Sequence, residues 1–168
     1  MMVCEALWFE ELLPSFSVEE LSPLVNIGSS TRAFREVEKP HIYRHVFRLL
    51  QEMGVQVIHS DIKQADGVDV VGNIFNDEAL QTLKDLNPKA LICGNMFEHI
   101  EDRQLLADRL MEVLPEGGLF FVTAPNSYHH HADPIDTMYR PSPEELALLF
   151  PGQEILQTEL LTGGNYWG

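Results

Sequence analysis

Side chains able to do chemistry gather at four places in the 168-residue sequence. The first is Gly28-Ser29-Ser30. A glycine there leaves no Cβ to hold a ligand off the backbone, and the hydroxyls beside it can donate to one. The second is Asp61, which follows the apolar run Val55-Gln56-Val57-Ile58. A carboxylate at a strand end can accept from both hydroxyls of an adenosine ribose. The plain alternative is a turn glycine and a solvated aspartate. The third is Glu98-His99. An imidazole titrates near neutral pH and suits a general base, with Glu98 beside it, unless the pair only ties a loop to the next helix. The fourth is the segment from Tyr128 to Pro141, a long loop of the kind that carries function. Tyr139 and Arg140 in it are expected to contact a substrate, against the alternative of a proline-stiffened lid. The adjacent His129, His130 and His131 cannot all point one way, so no metal site is expected from them. His41 and His45, one helical turn apart, read as a solvated helix face.

Those residues need a scaffold, and the apolar patterning supplies one. Leu24-Val25-Asn26-Ile27, bounded by Pro23 and Gly28, reads as a short buried parallel strand that ends at the glycine loop. Further strands are expected at 55–58, at 68–73 (weaker), at 90–93, at 119–123 and at 155–161. The link between the second and third is too short for a crossover helix, so it should be tight and irregular. Helices are expected over 2–13, from Pro40 to Met53 with Gly54 as the stop, over 76–86, over 102–114 and from Ser142 onward. Ser17 with Glu20 reads as a capping box, and residues 34–39 as polar and irregular. Alternating strands and helices predict an α/β fold with a doubly wound, mostly parallel, Rossmann-like sheet.

Composition narrows the partners. Residues 1–168 read as one domain, 45% hydrophobic and 22% charged, long enough to bury a core. The net charge of −15 repels phosphate backbones and anionic lipid, so neither nucleic acid nor a membrane surface is expected as a partner. Cys4 and Cys93 are the only cysteines, and Cys93 sits in an apolar run, which argues against a disulfide framework or thiolate metal site. With no apolar run near ~20 residues and no basic leader, a cytoplasmic location is expected. The dinucleotide fingerprint is missing, since Ser30 and Ala33 fall where its later glycines belong. Gly28 and Asp61 also stand 33 positions apart, against about 20 in that pattern.

The chain resembles the class I S-adenosylmethionine-dependent methyltransferases, in particular the type 11 subgroup. Three segments carry the likeness: Asn26-Ile27-Gly28-Ser29-Ser30-Thr31-Arg32, then Leu91 to Ile100 with Glu98-His99, then Val113-Leu114-Pro115-Glu116-Gly117-Gly118-Leu119 followed by Thr123-Ala124-Pro125-Asn126. It spans about residues 24 to 150. The resemblance implies S-adenosylmethionine as cofactor and a small-molecule or sugar-like acceptor. It implies that Asn26, Gly28, Ser29 and Ser30 meet the methionine part, that Asp61 binds the ribose and that Ile62 packs on the adenine. Asn73 would lie near the adenine amine, Gly94 and Asn95 on the pocket floor, and His99 would be the base for the acceptor proton. The sequence departs from the family pattern at Asn26, usually an acid, and at Ser30 and Arg32, usually glycines. Some members hold a divalent metal with Glu-x-x-Glu-His, and Asn95 in place of the first carboxylate argues against that here. A non-catalytic, binding or scaffold version of the fold is the competing expectation. So few residues follow Gly163-Gly164 that the family's seventh strand should be missing or shortened. The open edge left by it invites a homodimer.

Overall fold

Leu24 and Val25 have no exposed surface and Ile27 very little, because strands on both sides and helices on both faces enclose them. They form the central strand in the computed structural model, which describes residues 1–131 and 135–163. The strands are β1 (Leu24–Ile27), β2 (Val57–Asp61), β3 (Val70–Val71), β4 (Ala90–Gly94) and β5 (Leu119–Thr123). They pair in the order β3-β2-β1-β4-β5, and every pairing is parallel. The helices are α1 (Val3–Leu12), α2 (Val18–Leu21), α3 (Pro40–Ile42), α4 (Arg48–Met53), α5 (Asp77–Asp85), α6 (Arg103–Val113) and α7 (Pro143–Ala147).

Strand side chains alternate between faces, and the two cores follow that alternation. Leu24, Ala90, Ile92 and Phe121 pack with Ala6 and Phe9 of α1, Ile42 of α3 and Leu50 of α4. Val25, Ile27, Leu91 and Cys93 pack on the opposite face with Leu80 and Leu83 of α5 and Leu106 and Leu110 of α6. Helices therefore cover both faces, as a doubly wound sheet requires. Double coverage explains why Ala90-Leu91-Ile92-Cys93 is apolar at every position, since none of the four retains exposed surface.

Three expectations need correction. Residues Phe34–Glu38 form a π-helical turn rather than irregular chain, and Pro40 to Met53 is not one α-helix. Lys39, at φ −128° and ψ 62°, separates the two segments because the residue before a proline avoids the helical region. A π-helical stretch, Tyr43–Phe47, then joins α3 to α4; its wider turn brings both Val46 and Phe47 into the core. Secondly, β3 has only two residues, reached by the tight link that was expected. Its approach is pinned by Asp69, whose carboxylate accepts the His59 N–H at 2.8 Å and whose N–H donates to the His59 carbonyl at 2.8 Å. Thirdly, the sixth strand is absent: residues 155–161 form no strand. Ile155 and Leu156 are adjacent, as are Leu160 and Leu161, so no period-2 register puts their apolar groups on one face. Ile155, Leu156 and Leu160 are more than half exposed. The stretch expected to be a shortened seventh strand falls mainly on 164–168, outside the described residues. Among the described residues no helix is long and apolar enough to cross a membrane.

Candidate functional site

Neighbouring strands β1 and β4 send the chain in opposite directions along the sheet, β1 toward β2 and β4 toward β5. Their carboxyl ends therefore diverge into a crevice at the point where strand order reverses, which is where open parallel sheets bind ligands. Gly28 follows β1 at this point and Gly94 closes β4. A trough of about 2050 Å³ opens here, lined by Gly28, Ser30, Asp61, Ile62, Asn73 and Asn95. It continues along β5 beneath residues 153–163. Its part over the strand ends joins the polar Ser30, Asp61, Asn73 and Asn95 with the apolar Ile62, a mixture that suits a small ligand.

The β1 wall is built by backbone groups tied to side chains. Gly28 has φ +69° and Ser30 φ +52°, so the chain turns back on itself immediately after the strand. Asp61 faces that turn: its Oδ2 accepts the Ser30 N–H at 2.7 Å and its Oδ1 the Lys63 N–H at 3.0 Å. Gly28 and the carboxylate thus converge on one cleft. Ser29 is buried; its N–H donates to the Ser60 carbonyl at 3.0 Å and its Oγ–H to the Ser30 carbonyl at 3.0 Å. Arg35 holds the loop from behind. Its Nη1 donates to the carbonyls of Ser29 (3.0 Å) and Ser30 (2.7 Å), and its Nη2 to that of Gly67 (2.7 Å). Arg32 does not enter the cleft but pairs at the surface with Asp66 at 3.1 Å.

Beneath the loop, Asn26 is turned sideways, its Nδ2 3.1 Å from His59 Nδ1. An amide N–H can only donate, so Nδ1 is the acceptor and His59 is neutral. Burial, with Arg35 nearby, lowers the His59 pKa to about 4. A lowered histidine pKa means that the unfolded chain takes up the proton first, so acid favours unfolding. His59 should contribute nothing to stability above about pH 6.5 and should cost about 3 kcal/mol as the pH falls to about 4. Urea unfolding of the wild type and His59→Gln between pH 7 and 4.5 checks this; the variant should lack that part of the slope. Glu98 titrates in the opposite sense, and the comparison cancels it.

The β4 wall is tied to α1. Asn95 has φ +52° and donates from Nδ2 to Glu5 Oε1 at 3.1 Å, while its Oδ1 accepts from Thr123 Oγ1 at 3.3 Å. Glu5 is buried and also accepts the Met2 N–H. A Cβ on Gly94 would lie 3.4 Å from Met1 Cε and 3.5 Å from Thr123 Oγ1. Met1 also lines a cavity of about 30 Å³ together with Asn26, Gly28, Ser29, Arg35 and Gly94. On the other side, Ile62 is 67% exposed and offers an apolar face at the mouth of the cleft. Asn73 uses its Oδ1 to accept the Phe75 N–H at 3.0 Å, leaving its amide N–H₂ to donate. The residues present fit the adenosine half of the cofactor the sequence resemblance implies: a carboxylate, an apolar face and an amide surround one hollow. Its methionine half would have to displace the Met1 side chain.

Glu98 and His99 stand in a 3₁₀ turn, Phe97–His99, just after β4. The Glu98 side chain is 1% exposed, and neither carboxylate oxygen has a hydrogen-bond partner among the described residues. Burial raises its pKa. Its backbone carbonyl is held by Thr137, from the N–H at 2.8 Å and from Oγ1 at 3.0 Å. His99 Nδ1 lies 2.6 Å from the Ile135 carbonyl, so Nδ1 carries the proton. Nε2, the ring nitrogen left free by that bond, lies 3.8 Å from Glu98 Oε1.

The other loop residues serve the loop itself. Arg140 donates to Asp136 Oδ2 at 2.7 Å and Oδ1 at 3.1 Å and to the carbonyls of Tyr128, His129 and Tyr139. The Tyr139 ring lies under the Arg103 guanidinium, 4.5 Å from its carbon. Arg140 holds the Asp136 carboxyl well below the usual carboxylate range. Sequence reasoning singled out neither Arg35 nor Glu5, because a single charged residue in a polar segment or a helix carries no spacing signal. His131 was set aside with its neighbours, yet the fold turns it toward His99, ring centroids 5.1 Å apart.

Fold and cleft together define an open α/β fold with an all-parallel five-stranded sheet and a cleft at the reversal of strand order. No family model matches the chain, and no curated protein matches it.

Proposed function

We propose that the domain is an S-adenosylmethionine-dependent methyltransferase acting on a small-molecule or sugar-like acceptor. The observation that supports it most is the bond from Ser30 N–H to Asp61, which brings the glycine loop and the β2 carboxylate to one cleft. Bound there, the cofactor supplies an electrophilic methyl group on a sulfonium. Asp61 accepts from the ribose hydroxyls, Ile62 covers the base and Gly28 lets the backbone come close. The chain's other task is to align an acceptor in line with the methyl group and exclude water from between them. His99 lines the cleft and donates from Nδ1 to the Ile135 carbonyl, and in this reading its Nε2 takes the acceptor proton.

A second reading, a cofactor-free scaffold, is favoured by Met1, which lies against Gly94 and beside Gly28. Isothermal titration calorimetry separates the two. The methyltransferase reading expects S-adenosylmethionine and its demethylated product to bind in the micromolar range. The absence of binding at millimolar ligand would favour the scaffold.

A further inference from the structure

We infer that Glu98, His99 and His131 form a binding site for one divalent transition-metal ion of the zinc or cobalt type. The inference does not depend on whether the adenosine hollow is used, but it assigns His99 Nε2 to the metal, so a metal-loaded site needs another base for the acceptor proton. Three observations carry it, and the first is a want of partners. Glu98 is a buried carboxylate with two oxygens that no donor in the described protein meets. A buried charge left that way costs several kcal/mol, so buried carboxylates are paired, neutralised or metal-bound. A residue that merely ties the loop to the next helix would have spent those oxygens on the loop. Thr137 instead binds the Glu98 backbone carbonyl and leaves the side chain alone.

The second observation is convergence. One ligand atom from each of Glu98, His99 and His131 lies within 4.8 Å of the others. Around a tetrahedral zinc with bonds of about 2.0–2.1 Å, donors stand roughly 3.3 Å apart. The Glu98–His99 pair, at 3.8 Å, is already near that spacing. Closing the rest needs a shift on the order of 1 Å in side chains of a surface loop, without a change of fold.

The third is how the two imidazoles are backed. A metal-binding histidine donates its other N–H to a carbonyl or carboxylate, which fixes the tautomer and aims the lone pair. His99 does this with the Ile135 carbonyl at 2.6 Å. His131 is held by its backbone N–H, which donates to Asp136 Oδ2 at 2.9 Å, while its Nδ1, 3.4 Å from that oxygen, has no hydrogen-bond partner among the described residues. Arg140 fixes that aspartate in turn at 2.7 Å. Two nitrogens and one oxygen favour zinc or cobalt over magnesium or calcium, which prefer oxygen alone. Three protein ligands leave a fourth position for water or for an acceptor oxygen, and all three line the cleft.

The test uses tag-free, chelator-stripped protein titrated with cobalt chloride, followed by visible absorption, and with zinc chloride by calorimetry. One equivalent should bind with micromolar or tighter affinity, and a hundredfold excess of magnesium should not compete. His131→Asn should weaken zinc binding at least tenfold, and Glu98→Gln should do the same if the first variant is unfolded by circular dichroism. His45→Asn and His130→Asn should leave the affinity unchanged. The proposal is overturned if zinc does not bind at millimolar concentration or if magnesium competes equally. Binding that survives both His131→Asn and Glu98→Gln, or that is lost with His45→Asn, overturns it as well.

Discussion

Asp61→Ala should weaken binding of an adenosine-type ligand about a hundredfold, the loss of about 3 kcal/mol of charge-assisted hydrogen bonding to the ribose hydroxyls. The same substitution removes the acceptor for the Ser30 and Lys63 N–H groups, so the fold should lose stability on the order of 1–3 kcal/mol. Two readouts separate these effects. Calorimetry well below the melting temperature measures affinity on folded protein, and urea unfolding measures the structural part. Asp61→Asn keeps one oxygen and the shape of the side chain, so it should recover part of the stability but little of the affinity. If both variants bind as the wild type does, Asp61 serves the loop alone and the ribose assignment fails.

Arg35→Met should lower unfolding free energy by about 3 kcal/mol, more than any other single change to the loops around the cleft. Arg35 is 4% exposed, and its guanidinium serves the carbonyls of Ser29, Ser30 and Gly67. Methionine fills much of the same volume, which isolates the loss of donors from the loss of packing. The Ser29 and Gly67 carbonyls then lose this donor and the Ser30 carbonyl keeps only Ser29 Oγ, and desolvated acceptors left unpaired are costly. Arg35→Lys should recover only part, since one ammonium cannot reproduce a planar fork aimed at two loops. Chemical denaturation gives the numbers, and a change below about 0.5 kcal/mol would show that water replaces the guanidinium.

The difference between Arg35 and Leu91 shows what a sequence exposes. Strands β1, β4 and β5 were legible because burial on both faces leaves apolar runs without alternation, and those runs were bounded by proline or glycine. Gly54 ended its helix as expected, at φ +88°. The glycine loop and Asp61 were legible together because each closes a strand. By contrast, the π-helical stretches Phe34–Glu38 and Tyr43–Phe47 were not legible, because their residue pattern looks like that of an ordinary helix. Residues 155–161 have the composition of a strand but not its alternation, and composition misled. Within the site, Glu5 and His131 belong to contacts between segments roughly ninety and thirty positions away from their partners Asn95 and His99, and pairings at that range leave no local trace.

The walls of the cleft are fastened by bonds that are in place without a ligand. Arg35 and Asp61 hold one lip, and Glu5 and Thr123 hold the other through Asn95. A binder arriving there meets a mould that has already set, so its association is spared the entropy of freezing loops. Selectivity then comes from shape rather than from folding around the guest, and a poorly fitting molecule cannot be accommodated by rearranging either lip.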